Sequence, residues 1–274
     1  MRCFYHRNDL DGICSGAIVR HRYPDCKMIG FDYGDHFSFE SLNPKELVIL
    51  VDISLSPEEM INFIKKEMKV IWIDHHHSAL VNAETYKYNE IRGLRRTGVG
   101  ACELAWRYFF EDPVPRSVHM LSQYDVWDHT DSRVVPFQYG IGALGLSVYN
   151  SIWLQIFDDR IIDRAIQTGL KILSYVKQAT KKIFRETGYK DTWEGCMTIF
   201  MNSCILDSTV YTFLPQADLF DCDVIASYYK RFDRRYKVSL RSYKEGIDVS
   251  KIATKYGGGG HKSAAGFICN ELPF

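Results

Sequence analysis

The order of apolar and polar residues predicts strands alternating with helices over the first 75 residues of the chain. Three short apolar runs each end at a histidine or an aspartate: 3–5 before His6, 47–51 before Asp52, and 70–73 before Asp74. Continuous apolar runs of this length are typical of buried parallel strands. Helical patterns lie between them, at 13–22 and after the Ser-Pro-Glu-Glu start at Ser56. This region is therefore expected to form βαβ units around a parallel sheet.

The rest of the chain changes from helical to strand-like patterns. Helical spacing of apolar residues covers 98–110, 115–124 and, at greatest length, 153–186, which predicts one long connecting helix ending before Gly188. Strand-forming runs follow at 196–201, 224–229 and 236–241. We therefore expect an α/β protein of two domains: a first domain over 1–150, a helical connector over 151–189, and a smaller second domain over 190–274.

Composition excludes several classes of protein. The 274 residues are 46% hydrophobic and 25% charged, which is typical of globular proteins. Lys plus Arg equals Asp plus Glu at 34 each, so no overall charge attracts a long polyanion or an anionic membrane. The apolar runs are far shorter than the ~20 residues of a bilayer helix, and the start lacks the apolar core of a signal peptide. We predict a cytoplasmic protein with no membrane partner.

Acidic and histidine side chains follow the predicted strands and one later helix. They are His6, Asp9, Asp11, Asp52, Asp74, His75, His76 and Asp125. The carboxyl ends of parallel strands face one crevice, so most of these side chains should meet there. Clustered carboxylates repel one another unless cations neutralise them, and a set of carboxylates and imidazoles without thiolates suits Mn²⁺, with Mg²⁺ or Co²⁺ as substitutes. Three consecutive histidines cannot all point into one site, so His77 is given no role.

Two features mark the predicted second domain. Four consecutive glycines, 257–260, precede His261, and their amides can approach an anion closely, with a short helix after His261 adding to the effect. A plain turn is the alternative interpretation. The segment 228–237 mixes tyrosines with basic residues, which suits either single-stranded nucleic acid or the turn of a solvated hairpin. Near these features, Arg241 is retained as a candidate binding residue.

These motifs resemble, in the same order, those of the DHH phosphoesterases that carry a C-terminal DHHA1 domain. The matching segments are HRNDLDG, VDIS, IDHHHS, YDVWDH and GGGGHKSAAGF, which extend over nearly the whole chain. The resemblance implies a parallel-sheet DHH domain that binds the metals and a smaller α/β DHHA1 domain that closes over the substrate.

The resemblance also implies a role for each residue. One Mn²⁺ would be held by His6, Asp9 and Asp52, and a second by Asp11, Asp52, His75 and Asp125. Asp74 would orient an imidazole, and His76 would face the scissile phosphate. Gly258, Gly259, Gly260, His261 and Arg241 would bind the other phosphate or the terminal nucleotide. Two assignments stay open: many relatives place one or three residues, not two, between the positions of His6 and Asp9, and Asp128 competes with Asp125.

The implied activity is a two-metal hydrolase of the oligoribonuclease-like branch. Its substrates would be short single-stranded RNA or DNA of about two to five nucleotides, cleaved to 5'-mononucleotides, because a zero net charge does not favour tracking along a long polymer. Alternatives are a linear or cyclic dinucleotide phosphodiesterase, a 3'-phosphoadenosine 5'-phosphate phosphatase, or a nucleotide-binding regulatory module without turnover. The sequence does not indicate an oligomeric state.

Overall fold

A computed structural model describes residues 1–32, 35–204 and 210–274, with the side chains of Val210, Gln216, Asp218 and His261 outside that description. Within it the chain divides into two units, residues 1–172 and 173–274. The division falls inside a long helix, within the segment predicted to connect two domains. Across the described ranges, none of the helices is both long enough and apolar enough to span a membrane.

The first unit is a parallel sheet between two layers of helices. Its strands are β1 (Arg2–His6), β2 (Lys27–Phe31), β3 (Leu47–Val51) and β4 (Lys69–Ile73). Its helices are α1 (Leu10–Arg22), α2 (Pro57–Lys65), α3 (His77–Thr85), α4 (Ala101–Phe109), α5 (Arg116–Asp125), α6 (Val134–Gly142), α7 (Trp153–Phe157) and the first part of α8 (Ile162–Thr187). The strand order is β2-β1-β3-β4, and every pair is parallel. The predicted α/β class is confirmed.

Alternate residues of the strands pack on opposite faces of this sheet, as the two-residue repeat of a strand requires. Ile49, Val51 and Ile71 face a core shared with α1, α4, α5 and α6. Val48 and Leu50 face a second core shared with α2 and α3. Both faces are therefore covered, which leaves the carboxyl edge of the sheet as the place for polar side chains.

The predicted single helix over 153–186 is wrong, because the chain turns between α7 and α8. Asp159 lies in this turn with a φ of +62°, outside the helical range. Its carboxylate accepts hydrogen bonds from the backbone amides of Arg116 and Ser117, at 3.0 and 2.8 Å, at the start of α5. The break in the helix thus satisfies the open amides at the first turn of another helix.

The second unit is a mixed sheet in the order β5-β6-β7-β8-β10-β9. Its strands are β5 (Tyr189–Trp193), β6 (Cys196–Asn202), β7 (Val224–Lys230), β8 (Tyr236–Ser242), β9 (Gly259–His261) and β10 (Ala264–Cys269), and its helices include α9 (Gln216–Leu219) and α10 (Val249–Lys255). Only β6 and β7 pair in parallel among these neighbours. One face packs on α10, and the other packs on the last part of α8 through Val176, Ile183 and Phe184.

The short helix expected after His261 is not formed, because the chain folds back there as the β9–β10 hairpin. The glycines before it serve strand packing. A Cβ on Gly258 would lie 2.1 Å from the carbonyl oxygen of Gly266, and Gly260 has a φ of +140°. A side chain at Gly258 would clash with this backbone. At Gly260, a residue with a Cβ could adopt this φ only at a cost in free energy. The segment 228–237 forms the β7–β8 hairpin and its turn, as one of its two interpretations predicted.

Candidate metal centre

Asp52 lies at the centre of the candidate site, directly after β3. It is 1% exposed, and its backbone amide continues the sheet by donating to the carbonyl of Ile73 at 3.0 Å. Its φ of +57° is a left-handed conformation, which aspartate adopts more readily than most residues but which still costs free energy. Packing therefore holds this carboxylate in a position that the local backbone does not favour.

The first group of possible metal ligands comprises His6, Asp9 and Asp52. Nδ1 of His6 lies 2.7 Å from Oδ2 of Asp9 and 3.5 Å from Oδ2 of Asp52. Asp9 also begins α1, where its Oδ1 accepts a hydrogen bond of 2.8 Å from the amide of Gly12. The two residues between His6 and Asp9 thus bring imidazole and carboxylate into contact, so the unusual spacing does not keep His6 away from this group.

The second group comprises Asp11, His75 and Asp125, and Asp52 faces it as well. Nε2 of His75 lies 3.2 Å from Oδ2 of Asp125, 3.3 Å from Oδ1 of Asp52 and 3.7 Å from Oδ2 of Asp11. Asp52 therefore directs Oδ2 towards the first group and Oδ1 towards the second. A carboxylate placed in this way can bridge two ions.

Asp11 connects this site to a distant helix. Its Oδ2 accepts a hydrogen bond from the amide of Ala101 at 2.7 Å, and its Oδ1 accepts one from Cys102 at 2.8 Å. These amides open α4, whose positive dipole end favours a carboxylate. The helix therefore fixes the orientation of Asp11 without any ion.

The charges of the site favour a bound cation. Burial, and then the charge of Asp52, raise the pKa of Asp11 to about 7; burial, and then the charge of Asp11, raise the pKa of Asp125 to about 7. Burial alone would lower the pKa of His75, but hydrogen bonding to Asp52 and the nearby acids raise it to about 10. Oδ1 of Asp52 is buried, and Nε2 of His75 lies 3.3 Å from it. Crowded, buried carboxylates beside imidazoles fit divalent metal ions.

His76 is held by Asp74 beside these groups. Oδ1 of Asp74 lies 2.7 Å from Nδ1 of His76 and also accepts hydrogen bonds from the amides of His75 and His76. Its Oδ2 accepts one from Nε1 of Trp72 at 3.2 Å. Nδ1 of His76 is 3.9 Å from Asp52, so this imidazole also borders the ligand groups. Its contact with Asp74 favours an orienting role for the aspartate.

The structure separates the two candidates for the acidic position after Tyr124. Asp125 faces His75, whereas Asp128 accepts hydrogen bonds from Thr130 and Gln123, which lower the pKa of Asp128 to about 2. The carboxylate of Asp128 therefore stabilises the local backbone around it through hydrogen bonds to residues close in the chain. His77 begins α3 and is exposed.

Sequence reasoning missed Asp32, which follows β2. Its Oδ1 lies 3.4 Å from Nε2 of His6, and its Oδ2 accepts a hydrogen bond from Nδ2 of Asn8. Asp32 thus positions the imidazole from the side opposite Asp9. The apolar run of β2 ends in this acid, the same signal that identified Asp52 and Asp74.

The candidate binding residues of the second unit lie on β8 and β9, the two strands that flank β10. Arg241 on β8 and His261 on β9 both have Ala264 of β10 as their register partner. Gly259 and Gly260 also belong to β9, and Gly258 precedes this strand. The sheet therefore brings together the backbone positions of Arg241 and His261, while the side chain of His261 lies outside the described residues.

Comparison with known proteins supports the resemblance seen in the sequence. Residues 2–121 match the DHH family N-terminal domain, and residues 217–272 match the DHHA1 domain. Uncharacterized protein R106 of Acanthamoeba polyphaga mimivirus is 30% identical over 98% of this chain, which spans 60% of that protein's length. Oligoribonuclease NrnB of Bacillus subtilis is 22% identical, with 96% of this chain and 71% of NrnB covered.

A solved structure shows the same fold. The pGpG-specific phosphodiesterase PggH from Vibrio cholerae superimposes with a TM-score of 0.50 at 13% identity, covering 98% of this chain and 92% of that one. The chain therefore carries a DHH family N-terminal domain followed by a DHHA1 domain.

Proposed function

We propose that this protein is a metal-dependent phosphodiesterase that hydrolyses short oligonucleotides to 5'-mononucleotides. The observation that carries the proposal is the position of Asp52, whose two carboxylate oxygens face two separate ligand groups. Pairs of adjacent divalent ions recur in enzymes that cleave phosphoesters. The 22% identical relative is named an oligoribonuclease, which supports a nucleotide phosphodiester as the substrate class.

The residues of the two groups would hold the ions as the family resemblance implies. His6, Asp9 and Asp52 would hold one, and Asp11, Asp52, His75 and Asp125 the other. Bound there, two divalent ions, with Mn²⁺ favoured by the oxygen and imidazole donors, would supply an activated water and neutralise charge on the phosphate. Because backbone amides already hold Asp9 and Asp11, these ligands need little rearrangement when the ions bind.

His76 is suited to give a proton to the leaving oxygen. Burial alone would lower the pKa of its imidazole, but the hydrogen bond with Asp74, together with the charges of Asp74 and Asp52, raises that pKa. The ring therefore keeps its proton to higher pH than a free histidine and acts as a general acid. Its short contact with Asp74 through Nδ1 assigns the transfer to Nε2.

The DHHA1 domain would bind the part of the substrate that does not react. Arg241 would provide a guanidinium, and the β9 segment that follows Gly258 and ends at His261 would provide main-chain groups, for a second phosphate or a terminal nucleotide. Binding energy from this remote part of a substrate can be used to position the phosphodiester that is cleaved.

A substrate panel with the purified protein and Mn²⁺ tests the proposal. It contains RNAs and DNAs from dinucleotide to decanucleotide, linear and cyclic dinucleotides, and 3'-phosphoadenosine 5'-phosphate, with products separated by chromatography. We expect 5'-mononucleotides from the shortest strands and none after chelation. Turnover of 3'-phosphoadenosine 5'-phosphate alone would show a phosphatase, and nucleotide binding without any product would show a regulatory module.

A further inference from the structure

We propose that the first unit has a second ligand site, which binds a nucleoside phosphate at the end of the sheet opposite the metal ligands. A cavity of about 1040 Å³ lies where β3 and β4 begin, and Leu47 and Lys69 line it. Asp52 and Asp74 follow the other ends of these same strands. Five residues at about 3.3 Å each separate the two ends by roughly 15 Å. The cavity is therefore distinct from the metal centre.

The rim of this cavity is positively charged. Arg22, Lys45, Lys69 and Arg92 line it, against the single acid Glu90. Within the described part of the chain, none of the four cations forms an ion pair with a carboxylate. In a protein whose formal net charge is zero, such a concentration of unpaired cations in a concavity favours an anionic ligand.

The anion must be bound by side chains. Arg22 ends α1 and Phe109 ends α4, so both helices direct their carbonyl ends towards this side of the unit. Helix carbonyl ends disfavour a phosphate, in contrast to helix amide ends. Binding should therefore depend on the lysine and arginine side chains and should weaken as salt is added.

Aromatic rings supply the other half of the recognition. Tyr23, Phe63, Tyr108 and Phe109 line the same cavity, and the rings of Tyr23 and Phe109 meet edge to face at 5.8 Å. The guanidinium of Arg92 lies over the ring of Tyr108 at 6.0 Å. Flat rings beside cations suit a nucleobase joined to a phosphate, because the base can stack while the phosphate meets the positive charge.

Tyr108, which lines this cavity, gives an independent reason to expect a ligand there. Its hydroxyl is enclosed by protein, yet it makes no hydrogen bond among the described residues. A buried polar group without a partner costs free energy, and a ligand with a hydrogen-bonding edge can recover it. A nucleobase edge offers both donors and acceptors to a hydroxyl, whereas the oxygens of a fully ionised inorganic anion only accept. The volume also matches the size range of small-molecule sites.

Calorimetric titration of AMP into the chelator-treated full chain tests the proposal without activity as a readout. We expect AMP to bind, and both adenosine and ribose 5-phosphate to bind more weakly, because each lacks half of the ligand. The double variant Lys69→Gln/Arg92→Gln should bind AMP at least about tenfold more weakly. The matched double variant Lys177→Gln/Lys181→Gln, on exposed positions of α8, should bind as the wild type does.

Other results would overturn the site. No AMP binding at millimolar concentration would do so, as would binding that is unchanged in Lys69→Gln/Arg92→Gln but lost in Arg241→Gln, which would assign the nucleotide to the DHHA1 domain. Thermal melting of each variant shows whether it is folded. The outcome is separate from the proposed phosphodiesterase activity, because hydrolysis should persist in Lys69→Gln/Arg92→Gln.

Discussion

The two units of the molecule hold their candidate site residues by different means. In the first unit, carboxylates and imidazoles from strand ends, from the start of α1 and from the end of α5 meet around the buried Asp52. In the second, Arg241 and His261 occupy the two strands that flank β10, on either side of Ala264, and the hydrogen-bonded ladder sets their spacing. The first arrangement concentrates charge that needs a cation, whereas the second depends on main-chain pairing alone.

This difference separates what a mutation in each unit should change. Losing a ligand in the first unit should alter metal binding together with turnover. Losing a binding residue in the second unit should leave metal binding intact. It should slow the turnover only of substrates long enough to contact that residue. Measuring both properties for each variant tests whether the two units divide the work in this way.

The largest effect is expected from Asp52→Ala. It removes the carboxylate shared by both ligand groups, so we expect turnover of a dinucleotide to fall on the order of 10³-fold or more. Metal content measured by mass spectrometry should fall as well. Asp128→Ala, which removes an acid bound to Thr130 and Gln123, is the matched control and should stay near the wild-type rate. A near-normal rate for Asp52→Ala would contradict the bridging role.

The second prediction concerns pH. Folding raises the pKa of Asp11 and Asp125 from 3.8 to about 7, so the metal-free fold binds protons that the unfolded chain has released. Stability of the metal-free protein should therefore decrease as pH rises through this window, while metal affinity increases because ligands must lose protons. If one proton with a pKa of about 7 leaves per ion, Mn²⁺ affinity should increase about tenfold between about pH 6 and pH 8.

Calorimetry in buffers of different ionisation enthalpy measures these protons directly. Asp125→Asn should release fewer protons than the wild type on binding Mn²⁺. An affinity that does not change with pH would show that the cluster is already deprotonated without metal.

A smaller and more selective effect is expected in the second unit. Arg241→Gln should lower kcat/KM for a dinucleotide by about tenfold or more, because it removes a charge-assisted contact to the remote phosphate. Hydrolysis of an activated phosphodiester without a second nucleotide should change much less, and metal content should not change. Lys237→Gln, an exposed position on the same strand, is the control. Equal losses on both substrates would assign Arg241 to stability or to the metal centre.

The smallest effect is expected from the loss of a single indole hydrogen bond, and each unit contains one that can be tested. Trp72→Phe removes the indole donor to Asp74, and Trp193→Phe removes the indole donor to the carbonyl of Pro273. One net hydrogen bond is worth about 1 kcal/mol, so Trp72→Phe should lower kcat by up to about fivefold. The alkaline limb of the pH profile of kcat for Trp72→Phe should move to higher pH. The reason is that Asp74, with one hydrogen-bond donor fewer, holds the proton of His76 more strongly. Identical pH profiles of kcat in both variants would show that Trp72 does not influence the proton of His76 through Asp74.

Much of the first unit could be predicted because its signals are local. Apolar runs identified β1, β3 and β4, and the acids directly after them fell at the carboxyl edge of the sheet. The same rule would have found Asp32 had the run of β2 been taken as a strand. In the second unit, the glycine run was interpreted as preceding a helix, because glycine permits both an amide nest and close strand packing, and the sequence does not distinguish them.

The sequence by itself determined the α/β class, the alternation of strands and helices in the first unit, and the acids and histidines that end the strands, because hydrophobic periodicity and strand-end position are properties of neighbouring residues. Only the tertiary structure decided how those side chains meet. It directs one oxygen of Asp52 to each ligand group, and it joins Asp11 to amides of α4 that lie 90 residues further along the chain. It also directs Asp125, and not Asp128, towards His75. These choices depend on the packing of distant segments, which no local pattern encodes.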